Sequence, residues 1–385
     1  MEDSKTVVVL GGGVGGVVAA RELRKRLHSR HRVVLIDRER GHVFAPSLLW
    51  LMVGLRRPAA IQRPLAGLAR KGIEVRHGEI AAIDPQTREV TVSGETIVVD
   101  YLVVSLGAEL APELVPGLAA AGHAFYTLAG AQAFHTALAS LERGRIVVLT
   151  AAPAYKCPAA PYEAALLVDH FVREHGRREH TSVEVYAAEP APMGVAGPDV
   201  SAAVRQILEA KDIPYHPEHQ VAAVDSDARR LEFANGASAS FDLLAYVPPH
   251  RAPRVVRDSA LAGETGWVSV DRHTLQTQFP GVYAIGDVVS IPLKLGKPLP
   301  KAGVFAHAEA EVVAKNIASA IAGREQVERF DGHGGCFIEI GGGRAGYGAG
   351  DFYAEPKPQI ALKRPGVRWH LGKVMFEKMW LYTKL

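Results

Sequence analysis

The chain opens on Thr6-Val7-Val8-Val9-Leu10, an unbroken apolar and β-branched run that predicts a fully buried strand. Val17 to Leu27 then mixes Ala, Leu, Arg and Lys as a helix would, and Arg32-Val33-Val34-Leu35-Ile36 predicts a second buried strand. The same pattern returns at Asp100–Gly107, Arg145–Thr150, Ser182–Tyr186 and Pro280–Asp287. A helix is predicted from about Tyr162-Glu163 through Phe171-Val172, and a longer alanine-rich one from Lys301 through Ile321. Buried strands alternating with helices predict an α/β fold with parallel sheets. No window reaches the ~18 uninterrupted apolar residues of a spanning helix.

Between the first strand and helix lies Gly11-Gly12-Gly13-Val14-Gly15-Gly16, which places G-x-G-x-x-G on Gly11, Gly13 and Gly16. Gly11 permits a tight turn, Gly13 lets backbone approach a pyrophosphate, and Gly16 lets helix and strand pack closely. The second strand ends in Asp37, 21 positions beyond Gly16, where a carboxylate would meet an adenosine ribose. A lone glycine motif is weak evidence; strand, glycines, helix, strand and acid in register predict a dinucleotide site.

FAD and NAD share this fingerprint, so other segments must choose between them. The turn at Ser105 and Gly107 and the pair Gly286-Asp287 resemble the second and third FAD fingerprints of glutathione-reductase-like flavoproteins. That resemblance implies two Rossmann-like domains and puts the Asp287 carboxylate on the flavin's ribityl chain; otherwise Asp287 is an exposed strand-end acid. The expected organisation is an FAD-binding part over 1–110, a degenerate NAD-like domain over 111–265, a second FAD-binding part over 266–325 and a C-terminal region over 326–385. The helix opening at Lys301 and Gly303 could aim N–H groups at the flavin's pyrimidine edge, where negative charge develops on reduction.

The NAD-like unit has its strands but not its phosphate loop. After Arg145–Thr150 comes Ala151-Ala152-Pro153-Ala154-Tyr155-Lys156-Cys157-Pro158-Ala159-Ala160-Pro161, with three prolines and no glycine. Proline removes backbone donors, so this segment cannot cradle a pyrophosphate. A pyridine nucleotide is therefore not the expected direct electron donor.

Composition narrows the function further. With 385 residues, 48% hydrophobic, the chain is long enough for two or three domains. A net charge of +3 without a long basic run argues against nucleic-acid binding. No signal peptide precedes the first strand, which favours the cytoplasm. The two cysteines, Cys157 and Cys336, are either inert core residues or a redox pair. Cys157 adjoins Lys156 and precedes a helix, features that favour thiolate. Cys336 lies in a glycine-rich approach to a strand; nearby His333 is a proton acceptor or a solvent-facing loop residue.

Phe44–Trp50, Tyr155–Pro158, Pro248-Pro249-His250, Leu299–Gly303 and His370–Lys378 resemble sulfide:quinone oxidoreductases and the flavoprotein subunit of flavocytochrome c sulfide dehydrogenase, in order along the chain. The resemblance implies that Cys157 and Cys336 are redox cysteines on one face of the flavin, oxidising sulfide or another small sulfur species. Hydrosulfide would attack their disulfide or sulfur bridge, leaving a persulfide and a thiolate on Cys336 that reduces FAD. Many members carry a third, upstream cysteine, which is missing here, so noncovalent FAD is expected. Glu163 is a proton handler or an ordinary first-turn carboxylate.

The same resemblance puts a quinone, as electron acceptor, beside Phe337, Lys373 and Phe376; core phenylalanines and a solvated lysine are the alternatives. From Pro356 to Leu385 seven Lys or Arg residues accompany one acid, Glu377, and apolar positions 371, 374, 375, 379 and 382 are helically spaced. With Trp380 this suits a helix lying on an anionic membrane, here the inner face, or else a helix capping a domain. A homo-oligomer stays open. The rival readings are a type-2 NADH:quinone oxidoreductase, a flavoprotein serving a haem partner, and a nonenzymatic redox sensor.

Overall fold

The computed structural model describes residues 4–385. Its first parallel sheet runs Val282–Ala284, Tyr101–Val104, Thr6–Leu10, Arg32–Asp37, Glu74–His77. Its central strand is buried throughout from Val7 to Leu10, as a strand covered on both faces must be. The helix Val14–Arg26 follows that strand directly, and the helix Gly303–Ile321 packs against it. The last strand of this sheet arrives some 180 residues after its neighbour, so residues 105–281 form an excursion from it.

That excursion contains a second parallel sheet, ordered His123–Ala124, Leu243–Val247, Gly144–Thr150, Thr181–Ala187, Tyr215–His216. The helix Ala160–Glu174 packs against it, starting two residues before the predicted Tyr162. Three-stranded antiparallel meanders at 80–98 and 221–240 ornament the two units.

The C-terminal region is a third sheet, fully antiparallel: His333–Gly341, Arg344–Asp351, Gln359–Gly366. The helix Val367–Met379 then crosses it and runs into a closing turn, Trp380–Lys384. Cys336 therefore stands inside a strand, paired with Gly348, rather than on the approach to one. The strand His333–Gly341 packs on the helix Ala160–Glu174, which carries Cys336 to the loop before that helix, where Cys157 stands. No described helix is long and apolar enough to cross a membrane.

Candidate active site

Parallel register sets the first half of the site. Leu10 is paired with both Ile36 and Val104, so Gly11, Asp37 and Ser105 emerge together at the carboxyl edge of the first sheet. The Ile285 N–H donates to Val104 O at 2.9 Å and brings Gly286 and Asp287 to the same edge. This is where an open α/β sheet binds its ligand. Gly11 has φ +100°, and a Cβ there would stand 2.2 Å from Ser105 O; a Cβ on Gly16 would meet Gly11 O at 1.7 Å. Gly13 and Gly107 differ: nothing lies within 4 Å of where their Cβ atoms would be. The loop is closed toward the protein and open outward, which fits the pyrophosphate of a bound FAD. One Asp37 oxygen accepts the Gly12 N–H and the other the Glu39 N–H at 2.6 Å, so Asp37 organises the loop.

On the flavin side of this edge, the sequence missed Glu309. It lies in the helix Gly303–Ile321, is 1% exposed, and accepts the Gly286 N–H at 2.6 Å. Burial pushes its carboxyl up to about 7, against the Gly286 hydrogen bond. A carboxylate on a helix of alanines gave no periodic signal of its own. Lys301 is no free cation for the cofactor: its Nζ donates to the carbonyls of Asp287 (2.7 Å) and Val289 (2.8 Å) and lies 3.5 Å over the Trp267 ring. Burial lowers it to about 8. It braces the Gly286–Val289 turn, while Gly303 opens its helix against Val14 of the first helix.

The second half of the site is the cysteine pair. Cys157 and Cys336 are free thiols, half-buried, in the wall of one cavity of about 60 Å³. Apart from the two thiols its side chains are apolar, among them Val200, Val304, Phe305 and Phe352. The interaction with Cys336, together with burial, pushes the Cys157 thiol up, whereas the interaction with Cys157 holds Cys336 down. The expectation of a Cys157 thiolate is therefore corrected. Lys156 points away, its ammonium 5.9 Å over the Tyr126 ring, and the helix does not start until Ala160. Cys336 is the member that loses its proton first. Cys157 is held at φ +52°, a conformation costly for a side-chain-bearing residue, by Tyr126 OH on its carbonyl and by its N–H on Lys301 O.

Glu163 is 2% exposed and is ion-paired to Lys373, itself 3% exposed. Glu163 does stand in the first turn of its helix, though buried, whereas the solvated lysine is not what the fold presents. Burial pushes Glu163 up to about 6, opposed by Lys373, whose ammonium lies 4.8 Å over the Trp50 ring. Beside them Glu339, 1% exposed, meets His370 Nδ1 at 2.9 Å. The Phe337 ring rests against Tyr347 and against Gly372 of the helix that carries Lys373, and Phe376, on that same helix, rests against Phe44. His333 is exposed and pairs with Asp331, a surface role.

In the second sheet the place of the ribose acid belongs to Glu189, just past the strand Thr181–Ala187. Its carboxylate is occupied from within by the hydroxyls of Thr150 (2.7 Å), Tyr162 (2.6 Å) and Tyr155. The Pro-rich loop thus supplies one of the hydroxyls, that of Tyr155, that occupy this carboxylate.

On the outer helix, Val367, Leu371, Met375, Met379 and Tyr382 are 54–68% exposed and Phe376 36%. They form a solvent-facing apolar stripe, while Val374 turns inward against the core around Ala160–Glu174. Trp380, expected on that face, is instead 2% exposed, its N–H given to His42 Nε2 at 2.8 Å.

The comparisons with known proteins follow the same architecture. The chain is 28% identical over 406 residues to the sulfide-quinone reductase of Aquifex aeolicus, covering 98% of this chain and 91% of that one. It is 24% identical over 366 residues to the mitochondrial sulfide:quinone oxidoreductase of Mus musculus, 91% of this chain and 79% of that one. The crystal structure of the sulfide:quinone oxidoreductase from Aquifex aeolicus superposes with a TM-score of 0.90 at 26% identity, over 99% of this chain and 91% of the other. The sequence model of the pyridine nucleotide-disulphide oxidoreductases matches residues 5–311, and this chain belongs to that family.

Proposed function

We propose that this protein oxidises sulfide at the Cys157–Cys336 pair and delivers the electrons, by way of noncovalently bound FAD, to a membrane quinone. The observation that carries the reading is the pair itself. Two cysteines 179 positions apart, the only two in the chain, meet in the wall of one apolar cavity that is also lined by Pro300 and Ala302, and each shifts the proton affinity of the other.

The chemistry starts from the oxidised pair. Hydrosulfide attacks one sulfur of the disulfide, forming a persulfide on Cys157 and releasing a thiolate on Cys336. That assignment matches the proton affinities of the two thiols, since Cys336 is the better leaving group. Joining thiolate and persulfide into a sulfur bridge releases one proton and two electrons. FAD, when bound, is the acceptor of that electron pair. Glu163 is the candidate to take the proton, because its charge acts on both thiols and burial raises its own titration to about 6. Lys373 holds the Glu163 carboxylate before that transfer and stands, with Phe337 and Phe376, toward the proposed quinone side.

The blocked Glu189 speaks against NADH as the donor, since a ribose could enter only by displacing three hydroxyls. The outer apolar stripe, flanked by Arg368, Lys378 and Lys384, supports peripheral docking on an anionic leaflet, the cytoplasmic face, where a lipophilic quinone is reached without leaving the bilayer. The test is steady-state reduction of decylubiquinone by sulfide under anaerobic conditions. Turnover that depends on both cysteines sustains the proposal, and turnover unchanged in Cys336→Ala sinks it.

A further inference from the structure

Gly12, in the middle of the first phosphate loop, is held from both sides. Its N–H goes to Asp37, and its carbonyl accepts from His42 Nδ1 at 2.8 Å. The peptide plane after Gly12 carries the N–H of Gly13, so fixing that carbonyl fixes the direction in which the loop offers its next donor.

His42 is fixed in turn by Trp380, whose indole N–H donates to Nε2 at 2.8 Å. One partner can only accept and the other only donate, which leaves a single neutral tautomer with the proton on Nδ1. Both residues are buried, at 3% and 2% exposure, so water offers neither a substitute partner. The rest of the closing turn is seated on the same dinucleotide unit. Arg21, from the first helix, donates to Thr383 O; Arg63 lies 4.7 Å over the Tyr382 ring; and Leu381 is 2% exposed. Position 380 is thus 368 residues from the loop in sequence and two hydrogen bonds from it in space.

We infer that Trp380 and His42 are cofactor-positioning residues, and that the hydrogen-bond link they form sets the geometry of the pyrophosphate loop and so the affinity for FAD. The inference rests on FAD occupying that loop and is indifferent to the identity of the electron donor. Nothing in the glycine motif discloses it, because the motif describes the loop and not what braces it from behind.

The test is titration of the stripped full-length protein with FAD, followed by flavin fluorescence, with the unfolding midpoint of each apo-protein measured alongside. Trp380→Phe keeps a ring and loses the N–H; His42→Asn offers a shorter amide that reaches at most one of the two partners. Each should weaken FAD binding about five- to tenfold, the share of one buried hydrogen bond. The double variant should be no weaker than the weaker single, since both remove one linkage. Leu381→Ala removes packing from the same turn and should lower the apo-protein midpoint while leaving the FAD dissociation constant within twofold. Should Trp380→Phe not fold, His42→Asn against Leu381→Ala decides alone. Dissociation constants within twofold of wild type in both ring variants overturn the inference. So does a Leu381→Ala effect as large as theirs. Failure of the wild-type apo-protein to bind FAD would instead remove the cofactor assignment beneath it.

Discussion

The backbone N–H of Cys157 donates to the carbonyl of Lys301 at 2.6 Å. Lys301 belongs to the flavin side, where its ammonium clamps the turn that follows Gly286. Cys157 belongs to the proline-rich loop between the strand Gly144–Thr150 of the other parallel sheet and the helix Ala160–Glu174. One residue therefore ties the cysteine loop to the turn after Gly286, and the positive φ of Cys157 is the conformation in which that tie is made.

Loss of either thiol should end the chemistry and spare the fold, because both side chains are only half-buried in a cavity wall. Cys157→Ala and Cys336→Ala are expected to bind FAD normally, with thermal midpoints close to wild type, yet to show no sulfide-dependent flavin reduction. Stopped-flow absorbance of each variant checks this.

Glu163 sets a pH limb. Only its carboxylate can take a proton, and burial places its titration near 6. Sulfide-dependent flavin reduction should therefore fall as pH drops through about 6, apart from the ionisation of sulfide itself. Glu163→Gln should remove that limb and lower the rate roughly 10²- to 10⁴-fold, the range for one general base. A pH–rate profile of the variant with the wild-type limb intact would assign the titration elsewhere.

Glu309 makes a stability prediction. Its folded pKa, about 7, is raised above the ordinary carboxylate value, so the stability linked to it is complete below about pH 4.5 and is lost as pH rises through 7. Glu309→Gln keeps an acceptor for the Gly286 N–H and cannot ionise. The fall in stability of the apo-protein between pH 5 and pH 8 should shrink by on the order of 3 kcal/mol. Urea midpoints at the two pH values measure it, and an unchanged slope would refute the assignment.

The outer stripe should behave as a lipid contact. Leu371→Ser combined with Met375→Ser and Met379→Ser removes three exposed apolar side chains from one helical face. Flotation with anionic vesicles should show binding at least about tenfold weaker, since burying such a side chain is worth roughly 1.5–3 kcal/mol. Sulfide should still bleach the flavin of this variant in solution.

The first sheet was legible because buried parallel strands and a glycine loop are local patterns, and Gly11, Asp37, Ser105 and Gly286 each end such a strand. The absence of a phosphate loop at 151–161 was equally local. What could not be read was partnership across the fold. Glu309, His42 and Glu189 are isolated polar letters in apolar or loop surroundings, and only packing reveals that they hold Gly286, Gly12 and three hydroxyls. The same limit explains two corrected expectations. Lys156 adjoins Cys157 in sequence, but its side chain lies over Tyr126. Trp380 shares a helical pattern with the exposed stripe, but the closing turn rotates it onto His42. Neighbours along the chain were a poor guide to a thiol's electrostatics, which Cys336 sets from 179 positions away.

The measurement closest to the central claim is anaerobic stopped-flow absorbance of the flavin-loaded protein, mixed separately with sulfide and with NADH, followed by decylubiquinone. Rapid bleaching by sulfide, none by NADH, and recovery with quinone are the predicted results. Bleaching by NADH with no response to sulfide would contradict the account and leave Cys157 and Cys336 as two core residues that happen to meet.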